Sequence, residues 1–244
     1  MQKLIKVQKS VIPACDVADL RKLGELAEAT AGVSGIGAYK VGLELVIPFG
    51  LGRVAEAIRR HSQLPIIYDH QKGGTDIPEL GPKFAKAVKS AGADAVILFP
   101  FGGGATEEKW IESCLEEGLA ILVGGHMTQA KFLENEGGFI ADSGPEAIYR
   151  LAAGRRVTDF VVPGNKTDYV LKYRQLLEEV LGADNFILYA PGFISQGGDI
   201  SETGKVAGAN WHAIIGSALY KKEGIEAMRQ AAKEITSQIT GGEK

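Results

Sequence analysis

Five charged residues, Asp16, Lys40, Asp69, Lys72 and Asp76, close three successive apolar runs of the 244-residue chain. Two ammonium groups set among three carboxylates can survive where a single ion could not, because desolvation is costly and alternation of opposite charge offsets it. A lysine flanked by carboxylates stays protonated, and a lysine held as an ammonium can deliver a proton. The set therefore points to charge-driven chemistry on a small substrate, weighed against an ion-pair network that only ties strands together. Asp16 has a second reading as a helix N-cap, since a helical pattern starts directly after it.

A second constellation lies near the C-terminus. Pro191-Gly192 and then Gln196-Gly197-Gly198-Asp199 follow one apolar run, and Gly216-Ser217 closes the next. Glycine-rich loops expose backbone N–H groups, which suit a phosphate when they stand near a helix start. Turn geometry alone is the other reading of such glycines.

The elements that must position these residues are eight short β-rich runs separated by helical segments. They are Val11–Asp16, Ile36–Leu45, Leu64–Lys72, Ala93–Pro100, Leu119–Gly125, Asp159–Gly164, Asn185–Gly192 and Trp211–Tyr220. Leu20, Leu23, Leu26 and Ala27 after the first run have helical spacing. Strand and helix in alternation predict a parallel sheet, and consecutive apolar positions fit strands covered on both faces. Eight such units in a chain near the ~250 residues usual for the fold predict one (β/α)8 TIM barrel over residues 1–244. In such barrels the working residues stand at the C-terminal strand ends and in the loops that follow, and loops seven and eight commonly hold phosphate. His70, His126, Thr128 and Asn165 also stand at strand ends. His126 has a balanced choice between substrate contact and structure. His70 should face away from its neighbour Asp69 if the strand is regular. His61 and His212 read as surface or satisfied core residues.

Composition narrows the function. Hydrophobic residues at 45% and charged residues at 23% suit an ordinary globular core. A net charge of -3 argues against a nucleic-acid or anionic-membrane partner, both of which need a concentrated cationic face. Cys15 and Cys114 have neither zinc-site spacing nor a C-x-x-C partner and read as reduced core thiols. The charged N-terminal stretch does not read as a signal peptide, and no window approaches the ~20 apolar residues of a membrane span. A cytoplasmic protein acting on a small molecule is expected.

From Asp16 to the last helix the chain resembles the orotidine 5'-phosphate decarboxylase family. The resemblance is most specific in Asp159-Phe-Val-Val-Pro-Gly164, Asn185-Phe-Ile-Leu-Tyr-Ala-Pro-Gly192, Gln196-Gly-Gly-Asp199 and Ile215-Gly216, with Lys40 in Tyr39-Lys40-Val41-Gly42 matching the family's strand-two lysine. The family's Asp-x-Lys-x-x-Asp signature is similar to Asp69-His-Gln-Lys72-Gly-Gly-Thr-Asp76, with each gap one residue longer. The family also places a phosphate-binding arginine after the glycine of the eighth strand, where this chain has Ser217.

The resemblance implies a homodimeric barrel that decarboxylates orotidine 5'-phosphate to uridine 5'-phosphate without cofactor or metal. Asp69 would face the substrate carboxylate, Lys72 would stabilise and protonate the carbanion, and Lys40 would hold Asp69. Asp76 would reach the partner's site and meet the ribose, with Asp16 on another ribose hydroxyl. Thr128 would contact the pyrimidine. Gln196 would bridge base and phosphate, and Pro191, Gly192, Gly197, Gly216 and Ser217 would frame the phosphate. Two alternatives are a metal-dependent sugar-phosphate decarboxylase or aldolase of the same superfamily and a non-catalytic nucleotide-binding barrel.

Overall fold

The structure, a computed structural model, describes residues 3–70, 73–193 and 197–240. Along the chain run β1 (Lys9–Pro13), α1 (Leu20–Thr30), β2 (Tyr39–Val41), α2 (Leu43–Phe49), α3 (Leu51–Arg59), β3 (Ile66–Asp69), α4 (Gly81–Ser90), β4 (Ala95–Leu98) and α5 (Gly104–Glu116). They continue with β5 (Ala120–Gly124), α6 (Gly144–Gly154), β6 (Asp159–Val161), α7 (Thr167–Leu181), β7 (Ile187–Ala190), α8 (Ile200–Ala207), β8 (Trp211–Ile215), α9 (Ser217–Tyr220) and α10 (Ile225–Thr240). The eight strands form one sheet in the order β1-β8-β7-β6-β5-β4-β3-β2, and every ladder is parallel.

Between β1 and β2 the barrel closes through two parallel bridges, Val11 with Ile36 and Ala14 with Lys40. A side chain at Gly37 would overlap Ser10 Oγ at 2.2 Å, so glycine there lets the two backbones meet. The expected barrel is the observed one, and its strands are shorter than the apolar runs. The run Ile36–Leu45 contracts to β2 because Gly42 caps α2 immediately. Likewise the run Trp211–Tyr220 ends at Ile215, Gly216 caps α9, and Ser217 is a helical residue.

Strand alternation divides the interior into two layers. On β3, Ile66 and Tyr68 pack outward among the helices, while Ile67 packs inside the barrel with Ile12, Ile97, Leu122, Val161 and Ile214. On β2, Tyr39 and Val41 face outward. The period of two then sends Lys40 and Asp69 inward at the same end of the barrel. At the opposite end His212 is fully buried; its Nδ1 meets Ser10 Oγ at 2.8 Å while its Nε2 has no hydrogen-bond partner, so it is a core residue as expected but only half satisfied. His61 is exposed. Both thiols are free and buried, and burial pushes Cys114 up to about 12.

Glu107, in the first turn of α5, is buried, and its Oε1 has no hydrogen-bond partner. Burial, with Glu108 beside it, pushes its carboxyl up to about 8. The folded state therefore holds a proton that the unfolded chain releases above its ordinary 4.5, so stability drains away as pH rises from that value through about 8. Glu107→Gln should raise the unfolding free energy relative to wild type at pH ~8, by about 3 kcal/mol, and change it much less at pH ~5. Urea titrations at the two values check this. A gain that is equal at both would show that ionisation is not the cause.

Candidate active site

A cavity of about 400 Å³ opens at the C-terminal ends of the strands. Its charged corner is built by β1, β2 and β3. Lys40 Nζ donates to Asp69 Oδ2 at 3.1 Å and to Asp16 Oδ1 at 3.4 Å. The Lys40 and Asp69 side chains are 8% and 11% exposed, whereas Asp16 is 40% exposed at the rim. Burial works to strip the lysine of its proton, but the combined pull of Asp69 and Asp16 outweighs it and holds the ammonium above its ordinary value.

The two readings of Asp16 are thereby separated. The cap of α1 is Asp19, whose carboxylate accepts from Lys22 N–H at 2.8 Å. Asp16 instead turns to Lys40 and lines the cavity. His70 contacts Tyr68 and Phe84 and shares a hydrogen bond with the Tyr68 hydroxyl. Tyr68 belongs to the outward layer, so His70 lies on the face away from Asp69, as regular alternation requires.

Lys72 and Gln196 lie outside the described residues. The register of β3 against β4 does not continue unchanged past Asp69. Asp69 stands opposite Ile97, an offset of 28, so a continued ladder would put Phe99 opposite position 71. Its N–H donates instead to Gly73 O at 2.6 Å, so the register has shifted by the time the chain reaches Gly73. Gly74, at φ +89°, then carries the chain past Pro100. Asp76 does not line the cavity of its own chain. It is exposed, and its segment is fastened to α5 by Thr106 Oγ1 donating to Asp76 O at 2.9 Å and Trp110 Nε1 donating to Ile77 O at 3.1 Å.

The opposite wall carries Thr128, Pro191, Gly192, Gly216 and Ser217, all at the cavity. Gly192 has φ +105°, and a side chain there would press on Thr128 Cγ2 at 3.0 Å and Asn165 Oδ1 at 3.1 Å. Glycine thus supplies both the left-handed backbone and the close approach. The loop is tied by Gly198 N–H donating to Gly192 O at 3.1 Å. Gly197, at φ +83°, belongs to this loop without lining the cavity. Among the described residues no arginine lines the cavity. Asn165 Nδ2 donates to Thr128 O at 3.0 Å and joins the loops after β5 and β6.

Several residues of the site escape a reading of charged strand ends. Ile97, Phe99, Val161 and Ile214 form an apolar floor, which inward parity on β4, β6 and β8 could have indicated. Tyr220 lines the rim, its phenol pushed up by burial and by Asp16. His126 lines the wall while both of its nitrogens are taken, Nδ1 by the Tyr173 hydroxyl at 2.8 Å and Nε2 by Lys166 Nζ at 2.9 Å.

One corner of the site thus carries paired charges, the floor is apolar, and a glycine-rich wall presents backbone. The sequence profile of the orotidine 5'-phosphate decarboxylase / HUMPS family matches residues 9–235. The orotidine 5'-phosphate decarboxylase of Methanosarcina barkeri is 32% identical over 232 residues, covering 94% of each chain. That of Pyrococcus furiosus is 30% identical over 231 residues, covering 94% of this chain and 97% of the relative. In fold, the chain is similar to the crystal structure of orotidine 5'-monophosphate decarboxylase from Methanocaldococcus jannaschii complexed with inhibitor BMP. The TM-score is 0.81 at 20% identity, with 95% of this chain and 99% of that one covered. With a profile match across nearly its whole length and relatives at this identity, the chain belongs to the orotidine 5'-phosphate decarboxylase / HUMPS family.

Proposed function

We propose that this protein decarboxylates orotidine 5'-phosphate to uridine 5'-phosphate, a carboxy-lyase step of pyrimidine nucleotide biosynthesis. The observation that carries this reading is Lys40, buried and held as an ammonium between Asp69 and Asp16 at the wall of a cavity with an apolar floor. Such a wall holds Asp69 where the substrate carboxylate would lie, favouring departure of carbon dioxide. Lys72, three positions on, stabilises the carbanion that is left and then gives it a proton. Atoms balance without a cofactor, since one carbon–carbon bond breaks and one carbon–hydrogen bond forms.

Thr128 takes the pyrimidine and Asp16 a ribose hydroxyl. With Ser217 in place of a guanidinium, the phosphate rests on backbone N–H groups around Pro191, Gly192, Gly197, Gly216 and Ser217, together with Gln196. The working unit is a homodimer. Asp76 is exposed and does not line its own cavity, it stands beside exposed Ile77, and Leu43 and Ile47 on α2 are also exposed apolar residues. These features support a reading in which Asp76 completes the partner's site. No helix among the described residues is long and apolar enough to cross a membrane, in keeping with a cytoplasmic enzyme.

Purified protein given orotidine 5'-phosphate should show loss of the orotate absorbance, unaffected by a chelator. Activity abolished by the chelator would favour the metal-dependent sugar-phosphate alternative. Binding of uridine 5'-phosphate with no turnover at saturating substrate would leave a nucleotide-binding barrel.

A further inference from the structure

Lys166 stands where a cation is least favoured. It is the N-cap of α7, a helix of 15 residues, at the positive end of the helix dipole. Rather than extending into solvent, its side chain is 14% exposed. Its ammonium donates to Glu136 Oε1 at 2.6 Å, to His126 Nε2 at 2.9 Å and to Gln129 O at 3.1 Å. Glu136 also accepts the N–H groups of Phe132 and Leu133, each at 3.2 Å. The start of α7 is therefore fastened to several points of the loop between β5 and α6. The same loop carries His126, Thr128 and Gln129 into the cavity wall.

We propose that Lys166 is a positioning residue for the decarboxylation, clamping the β5–α6 loop so that Thr128 meets the substrate and holding His126 in the wall as the neutral Nδ1–H tautomer. This rests on the function proposed above. An ammonium can only donate, so Nε2 must present its lone pair and the ring proton must sit on Nδ1, where it is given to the Tyr173 hydroxyl. The groups facing His126 are Lys166, Glu136 at 3.5 Å from Nε2, the Tyr173 hydroxyl, the rings of Tyr169 and Phe132, and Lys172 at longer range. Burial and then Lys166 hold the imidazole down to about 4, against the opposite pull of Glu136. Without Lys166 the charge beside the ring reverses sign, leaving the Glu136 carboxylate to favour an imidazolium.

The test uses Lys166→Met and reads the histidine Cε1–H resonances as well as kinetics. In the wild type His126 should not titrate between about pH 5 and 8, whereas in Lys166→Met it should titrate within that window. KM for orotidine 5'-phosphate should rise about 10- to 100-fold, more than kcat falls, because the loop is displaced rather than the reacting groups. Lys166→Arg should recover most of the KM. If Lys166→Met does not fold, Glu136→Gln serves instead, with a raised KM and a His126 that stays neutral. A His126 that remains silent in Lys166→Met, or an unchanged KM in either variant, overturns the proposal. A wild type without decarboxylase activity would sink the function but not the clamp, because the histidine titration and the affinity for uridine 5'-phosphate remain measurable.

Discussion

Lys72→Ala is expected to abolish decarboxylation, lowering kcat/KM by roughly 10⁴-fold or more, since in the proposed mechanism one substitution removes both the cation that stabilises the carbanion and the acid that protonates it. Affinity for uridine 5'-phosphate, which has no carboxylate to lose, should change far less. Measuring both quantities separates a lost catalytic group from a lost fold. The same variant tests the shared site. Mixed with Asp76→Ala chains under exchanging conditions, it should regain about a quarter of wild-type activity, because half the dimers are mixed and each then has one intact site. Lys72→Ala protein with substantial turnover would remove the proton-donor role. Mixtures that stay dead would place Asp76 within its own chain's chemistry.

Lys40→Ala should damage both the fold and the reaction. The lysine is the ammonium that Asp69 and Asp16 share, and deleting one partner of a buried ion network commonly costs about 3–5 kcal/mol. Loss of a fixed charge at a reacting site costs on the order of 10²–10³ in rate. Urea unfolding and steady-state kinetics on one preparation would read the two effects together. In the wild type, the raised pKa of Lys40 keeps the ion pairs intact below the ordinary lysine value, and their contribution fades only as pH rises through that value and beyond. The Lys40→Ala deficit should therefore be constant across the neutral range. A variant as stable and as active as the wild type would reduce the charged corner to a strand tie.

Much of this architecture was legible before any coordinates. The repeated exchange between β-rich and helical runs requires a parallel closed sheet, and period two sends Lys40 and Asp69 to the same interior. The glycines at Gly192 and Gly216 mark the loops after the seventh and eighth strands. Ends of elements were less legible, because apolar residues continue past the last ladder hydrogen bond. Leu43–Leu45 and Ala218–Tyr220 continue the apolar runs of β2 and β8, yet they turn into helices capped by Gly42 and Gly216.

What the sequence alone determined was the barrel, which follows from local pattern and chain order, the family, which its motifs resemble, and the placement of Asp16, Lys40 and Asp69 at one mouth. Tertiary structure decided how those residues are paired. The sequence offers Asp16 as a cap of α1, and only the approach of β2 to β1 shows that Asp16 is drawn to Lys40, while Asp19 is the residue that caps. Lys166 and Glu136 are 30 positions apart, and their pairing exists only because the loop after β5 folds back onto the start of α7. Local propensity cannot anticipate such contacts, since long-range packing sets their free energy.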